Sequence, residues 1–143
     1  MSRYVLDASV AAKWFLSGAQ ENLKSEALAV LKEYTVGQLH LVVPDLFWPE
    51  IGNILWKASR IGRISKESAM QAIDVLREQS IPTYPSFPLF HSAFIIATSF
   101  DRTVYDSVYI ALAVETNATF LTADERLVNA LAARFPIRWL GSL

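Results

Sequence analysis

The chain has 143 residues, 52% of them hydrophobic, with 13 basic residues, 14 acidic residues and no cysteine. The lack of cysteine excludes disulfide bonds and thiolate zinc sites, and the balanced charge argues neither for nor against a nucleic-acid partner. No apolar run approaches the roughly 18 residues of a membrane span, and Asp7 and Lys13 interrupt any signal-peptide core. We therefore expect residues 1–143 to form one soluble, cytoplasmic domain, with some apolar surface covered by a partner.

The N-terminal half of the chain alternates short apolar runs with segments of helical periodicity. The apolar runs predict strands at residues 4–6 and 40–43. Apolar residues spaced three and four apart predict helices over residues 9–16, 23–34, 45–61 and 65–76. Pro49 must begin or kink the third of these helices, because its ring clashes with the preceding turn. The apolar stripe of the fourth helix includes Ile73.

The C-terminal half continues the alternation and contains the most informative stretch, residues 104–126. A weak strand candidate at residues 81–84 and a helix over residues 88–100 precede this stretch. Within it, a helix opens at Asp106, and a short apolar strand covers residues 119–121. Residues 108–114 have no polar face for two turns, so this helix should be buried. A last helix, with Phe135 facing inward, leads to an edge strand at residues 136–140.

Short apolar strands that alternate with helices predict an α/β fold. We expect a mostly parallel central sheet of about five short strands, flanked by helices on both faces. In such open sheets, ligands bind at the carboxyl ends of the strands. Asp7, Asp106 and Asp124 all lie at strand ends or helix starts. The predicted fold therefore places these three acids at one edge of the sheet.

Each of these acids also has a purely structural explanation. Asp7 could cap the helix after the first strand, while residues 103–106 and 122–125 have the spacing of capping boxes. Acids in the first turn of a helix gain roughly 0.3–1 kcal/mol from the helix dipole. A fourth acid, Glu50, could be a solvated helix residue, but its unusually apolar neighbours favour a pocket.

The combination of the four acids favours a metal site. If Asp7, Glu50, Asp106 and Asp124 converge at one edge, each raises the pKa of the others. Hard divalent cations relieve this repulsion, and an all-oxygen ligand set suits Mg²⁺ or Mn²⁺. An acidic pocket without histidine or cysteine is also what two-metal phosphodiester hydrolysis uses.

Four segments in this order resemble one known family: VLDAS, PDLFWPEIGNIL, VYDSVYIALA and FLTADERL. They resemble the PIN domain, in particular the VapC-like toxins of toxin–antitoxin pairs, and the resemblance covers essentially the whole chain. It implies a small Rossmann-like fold and an endoribonuclease that depends on Mg²⁺ or Mn²⁺. It also implies an RNA substrate, a protein antitoxin laid over an apolar groove, and a homodimer.

The resemblance assigns roles to seven polar residues. It implies that the catalytic, metal-binding carboxylates are Asp7, Glu50, Asp106 and Asp124. Three further positions match polar neighbours of such a site: Ser9, Asn53 and Thr122. Ser9 and Thr122 could instead simply cap helices.

Basic residues recur every third position after Glu50: Lys57, Arg60, Arg63 and Lys66. They could form a rim that binds RNA phosphates without reading sequence, or a solvated helix face. Arg102, just before the Asp106 helix, is a further candidate for the RNA-binding rim.

Other functions remain open or are disfavoured. A PIN nuclease of RNA processing or decay, and a non-catalytic PIN interaction module, share the same motifs. A haloacid-dehalogenase-like phosphatase would need aspartate at position 9, where this chain has Ser9. A receiver domain would need paired acids before Asp7, and the preceding residues include none.

Overall fold

A computed structural model of the chain describes residues 1–19 and 21–143 and contains a central sheet. Its strands are β1 Ser2–Leu6, β2 Leu39–Pro44, β3 Thr83–Tyr84, β4 Thr119–Thr122 and β5 Ile137–Trp139. Their spatial order is β3-β2-β1-β4-β5, and all four pairings are parallel. The predicted fold class, an α/β protein with a parallel sheet of about five short strands, is confirmed.

Helices connect the strands, as parallel pairing requires. Across the described ranges they are α1 Ala8–Ala12, α2 Lys24–Thr35, α3 Phe47–Arg60, α4 Lys66–Glu78, α5 Phe90–Phe100, α6 Val104–Glu115 and α7 Glu125–Leu131. Two 3₁₀ turns, Phe87–Leu89 and Leu140–Ser142, complete the chain. In these same ranges, no helix has both the length and the apolar character that a bilayer crossing needs.

Helix α6 is the buried centre of the fold. Residues 107–113 are all buried, and the helix packs against α5 and against β1, β2 and β4. Its side chains meet a strand that is equally apolar, since Phe120 and Leu121 of β4 are fully buried. The prediction of a buried helix is confirmed except at Val114, which is 56% exposed near the end of the helix.

Several element boundaries differ from those predicted. Helix α6 begins at Val104, two residues before Asp106, because the Thr103 hydroxyl caps it by accepting the Asp106 N–H at 3.0 Å. Helix α1 ends at Ala12, and turns follow where the sequence predicted helix. Ile73, predicted in the apolar stripe of α4, is 36% exposed.

The strand order reverses between β1 and β4, and this reversal positions the acids. Leu6 pairs with Leu121, and the backbone N–H of Asp7 donates to the Leu121 carbonyl at 3.1 Å. Asp7 therefore lies beside Thr122, at the carboxyl edge of the two central strands. Ligand crevices of open α/β sheets lie at such switch points.

Candidate functional site

Asp7 is held by two hydroxyl groups from different parts of the chain. Its Oδ2 accepts hydrogen bonds from Ser9 Oγ at 2.8 Å and from Thr122 Oγ1 at 2.7 Å. Asp7 occupies the N-cap position of α1, but its side chain makes no capping bond. Asp7 therefore takes the cap position that the sequence predicted, while its carboxylate is bonded to the Ser9 and Thr122 hydroxyls.

The same two hydroxyls also bind the backbone after β4. Ser9 Oγ accepts the N–H of Ala123 at 3.2 Å, and Thr122 Oγ1 accepts the N–H of Asp124 at 3.1 Å. Ser9 and Thr122 thus act as donors to Asp7 and as acceptors for the β4–α7 turn. Neither serves as the helix cap that their spacing also allowed, since Asp124 is the N-cap residue of α7.

Asp124 and Asp106 lie in the first turns of their helices. Asp124 Oδ1 accepts the N–H of Leu127 at 3.2 Å, so this carboxylate does cap α7. Asp106 is in the first turn of α6, where its backbone N–H is bonded to Thr103. A carboxylate in the first turn of a helix interacts favourably with the helix dipole. The capping role of Asp124 uses one oxygen and is compatible with a second role for the carboxylate.

Glu50 has a partner that the sequence analysis missed. The hydroxyl of Tyr109 donates to Glu50 Oε1 at 2.6 Å, joining α3 to α6. Tyr109 belongs to the apolar run of α6, and its ring stacks on Phe120 with centroids 5.0 Å apart. The available signal was a tyrosine within a buried aliphatic run, because a buried hydroxyl normally finds a hydrogen-bond partner.

Burial raises the pKa of three of the four acids. For Asp7, Glu50 and Asp106, desolvation is the largest cause of the increase. Mutual repulsion adds to it: the charge of Asp106 raises the pKa of Asp7, and the charges of Asp7 and Asp106 both raise the pKa of Glu50. The charge of Asp124 likewise raises the pKa of Asp106. All four acids therefore contribute to one region of negative potential.

Hydrogen bonds and one cation oppose these increases only in part. The hydroxyls of Thr122 and Ser9 lower the pKa of Asp7, and Tyr109 lowers that of Glu50. The charge of Arg102 lowers the pKa of Asp106. The pKa of Asp7, Glu50 and Asp106 nevertheless stays above its ordinary value, so Arg102 offsets the negative charge only in part.

A pocket of about 600 Å³ opens beside these acids. Its polar lining comes from Asp7, Ser9, Glu50 and Asn53, and its apolar lining includes Leu46, Pro49, Ile54 and Tyr105. Asn53, predicted as a polar neighbour, thus lines the same pocket as Glu50, which lies one turn before it on α3. Asp106 and Asp124 do not line the pocket. The charge of Asp106 raises the pKa of Glu50, and the charge of Asp124 raises the pKa of Asp106.

The donor set fits a hard divalent cation. Carboxylate, hydroxyl and amide oxygens surround the pocket, which is the chemistry that Mg²⁺ and Mn²⁺ prefer. Over residues 1–19 and 21–143, no group of three or more His, Cys, Asp or Glu side chains is arranged so that it could hold a metal ion. Convergence of the four carboxylates on a metal thus stays a prediction, supported by the raised pKa of Asp7, Glu50 and Asp106.

The predicted basic rim divides into different environments. Arg63 donates to the Ser17 carbonyl at 3.2 Å and pairs with Glu21 at 3.3 Å, so it is tied to the α1–α2 connection. The Arg60 guanidinium lies over the Trp56 ring, 5.1 Å from its centroid. Lys57 and Lys66 are exposed. Arg102 is half-buried, and its Nε is buried without a hydrogen-bond partner among residues 1–19 and 21–143.

The fold and the site together define a class of protein. A parallel sheet with the central order β2-β1-β4 places carboxylates around its switch point, in a small α/β domain of Rossmann-like topology. The chain belongs to the PIN domain family, which matches residues 4–132. The predicted family resemblance is confirmed.

Curated relatives within this family are VapC ribonucleases. Ribonuclease VapC3 of Pyrobaculum aerophilum is 29% identical over 136 residues, covering 94% of this chain and 95% of the relative. Ribonuclease VapC9 of Mycobacterium tuberculosis is 31% identical over 97 residues, covering 68% of this chain and 75% of the relative. The resemblance to VapC-like proteins is thereby confirmed.

A solved structure supports the fold. A chain of a toxin–antitoxin complex from Klebsiella pneumoniae superposes with a TM-score of 0.66 and covers 98% of both chains. Its sequence identity is 11%, so the match extends to the fold alone.

Proposed function

We propose that the chain is a divalent-metal-dependent endoribonuclease, the toxin of a toxin–antitoxin pair, acting on RNA in the cytoplasm. One observation carries the proposal. In a PIN-family sheet, three half-buried acids, Asp7, Glu50 and Asp106, have a pKa that is raised by desolvation and by the charges of neighbouring acids. The names of the curated relatives, which are ribonucleases, indicate the class of substrate.

Four residues would hold the metal: Asp7, Glu50, Asp106 and Asp124. A bound Mg²⁺ or Mn²⁺ would supply an activated water and neutralise charge that develops on the phosphodiester. Ser9 and Thr122 fix one oxygen of Asp7 and so orient its carboxylate toward the pocket. Asn53, on the pocket wall, would hydrogen-bond a water or a phosphate oxygen.

The RNA backbone would be held by basic residues of α3, of the turn after it and of the α5–α6 connection. Arg102 is the cation that acts directly on an acid of the site, since its charge lowers the pKa of Asp106. We assign it the phosphate contact next to the reaction. Lys57 and Arg60, on the last turn of α3, would contact phosphates further along the strand. Arg63 would contribute less, because Glu21 already neutralises it.

The partners would be a protein antitoxin and a second copy of the chain. Support comes from the structural neighbour, which is a toxin–antitoxin complex. Further support comes from the apolar side chains that α5 and the turn before it expose: Phe87, Phe90, Phe94 and Ile95. An exposed apolar patch of this kind marks an interaction surface.

The proposal is tested by cleavage of a pool of structured RNAs with Mg²⁺ or Mn²⁺, and then with EDTA. Wild type should cleave only with metal, and Asp106→Asn should not cleave. Asp74→Asn is the matched control, because Asp74 is an exposed acid on α4 and should leave cleavage intact. Metal-independent cleavage by wild type, or full activity of Asp106→Asn, would contradict the proposal.

A failure of every protein to cleave would be resolved by titration with Mn²⁺. Binding would point to a narrow RNA target absent from the pool. No binding would favour the alternative of a non-catalytic interaction module.

A further inference from the structure

Tyr109 is a buried side chain whose hydroxyl lies at the acidic site. The residue is 2% exposed, and its ring lies nearly parallel to that of Phe120, with an interplanar angle of 17°. The rest of the buried segment of α6 after Ser107 is aliphatic: Val108, Ile110, Ala111, Leu112 and Ala113. Phenylalanine would fill the same volume, so packing alone does not explain the hydroxyl.

The hydroxyl is bonded to one acid of the site and is affected by the charge of a second. It donates to Glu50 Oε1 at 2.6 Å, and the charges of Asp7 and Glu50 raise the pKa of Tyr109, together with burial, which is the largest cause. A hydrogen bond from the backbone amide of Ala8, the residue after Asp7, lowers the pKa of Tyr109. The phenol is therefore protonated and serves Glu50 as a donor.

We propose that Tyr109 is a positioning residue that holds the Glu50 carboxylate in the orientation needed to bind a divalent cation. This inference rests on the proposed metal-dependent function. Tyr109 would act through Glu50 and would touch neither metal nor RNA.

Glu50 requires such a partner because its surroundings repel it. Its side chain is half-buried on α3, and the charges of Asp7 and Asp106 oppose its ionised form. A flexible glutamate side chain would otherwise rotate toward solvent, where these charges are screened. The Tyr109 bond engages Oε1 and leaves Oε2 for a ligand. Rigid packing of the ring on Phe120 fixes the position of the donor.

The test is the affinity for Mn²⁺, measured by calorimetric titration of metal-free protein, with Tyr109→Phe compared with wild type. Loss of a hydrogen bond to a metal ligand typically weakens metal affinity about 10- to 100-fold. We expect a rise in Kd of this size, or loss of measurable binding, with an unchanged far-UV circular dichroism spectrum. Mn²⁺-dependent RNA cleavage should fall in parallel.

Tyr34→Phe is the matched control. Tyr34 is half-buried on α2, and its hydroxyl donates to the Gln79 carbonyl at 2.9 Å, without contact with the four acids. This variant loses one tyrosine hydroxyl bond as well, but its Mn²⁺ affinity should stay within about twofold of wild type. A purely structural role of Tyr109 would make the two variants behave alike.

The outcomes separate this inference from the function on which it rests. Wild type that binds Mn²⁺ and cleaves RNA, beside a Tyr109→Phe variant of equal affinity, would overturn the positioning role alone. Equal losses in Tyr109→Phe and Tyr34→Phe would overturn it as well. Wild type that binds no Mn²⁺ would overturn the metal site and the positioning role together.

Discussion

Two partly buried clusters of charge in this domain differ in how they are neutralised. Between α1 and the α3–α4 turn, the Glu21 carboxylate pairs with Lys13 at 3.1 Å and with Arg63 at 3.3 Å. At the carboxyl edge of the sheet, Asp7, Glu50 and Asp106 repel one another. The first cluster is neutralised within the protein, whereas Arg102 offsets the negative charge of the second only in part.

The difference separates a structural cluster from a functional one. Lys13 also donates to Asn22, and Lys24 donates to the carbonyls of Lys13 and Leu16, so the first cluster ties a connecting segment to α1. The charges of this cluster are balanced without an ion from solution. The acidic cluster costs stability as long as its charges are uncompensated, and this cost is the reason to expect a cation from solution.

The largest expected effect comes from removing one acid of the second cluster. Asp7→Asn should lower metal-dependent RNA cleavage by more than about 100-fold, because a direct ligand matters more than its hydrogen-bonding partners. Asparagine keeps an acceptor for the Ser9 and Thr122 hydroxyls, so the fold should remain intact. Cleavage assays on folded protein check this prediction, and undiminished activity would remove Asp7 from the site.

Removing the acid of the first cluster should lower the stability of the fold and leave metal binding unchanged. Glu21→Gln leaves Lys13 and Arg63 without their counter-ion, and their side chains are only 10% and 25% exposed. We expect a loss of about 1–2 kcal/mol in the free energy of unfolding, which is below the value for fully buried pairs. Mn²⁺ affinity should not change. Denaturant unfolding and the metal titration together check both statements, and a loss of affinity would connect the two clusters.

The smallest effect is a pH dependence of the metal-free protein. Burial and repulsion raise the pKa of Asp7 in the folded state above its ordinary value of 3.8. Its contribution to stability is therefore greatest below that value and is lost as pH rises through the folded-state pKa. Asp7→Asn removes this loss, so its Tm should exceed that of wild type by an amount that grows from pH 4 to neutrality. A Tm difference that is constant over this range would contradict the raised pKa.

Much of the fold follows from local patterns in the sequence. Short apolar runs marked all five strands, and the polar-free segment of α6 marked the buried helix. The differences arise where one interaction outweighs the periodicity. Thr103 starts α6 two residues early by capping it, and Val114 and Ile73 are exposed because no neighbouring element covers these positions in the single chain.

The site was predictable in its acids but not in its supporting bonds. Asp7, Glu50, Asp106 and Asp124 stood out because they follow strands or begin helices in recognisable motifs. The Tyr109–Glu50 bond joins residues 59 positions apart, and the Arg63–Glu21 contact joins residues 42 apart. No local spacing encodes such pairs. Arg63 was therefore assigned to an RNA-binding rim, although it is paired with Glu21.

The bond between Thr122 and Asp7 has a consequence for biosynthesis. It joins residues 115 positions apart and forms only after β4 has paired with β1. A chain still emerging from the ribosome therefore carries Asp7 long before it carries Thr122 and Asp124. Contacts of such long sequence separation also form late in folding. The Asp7 site is thus assembled only after β4 has been synthesised and has paired with β1.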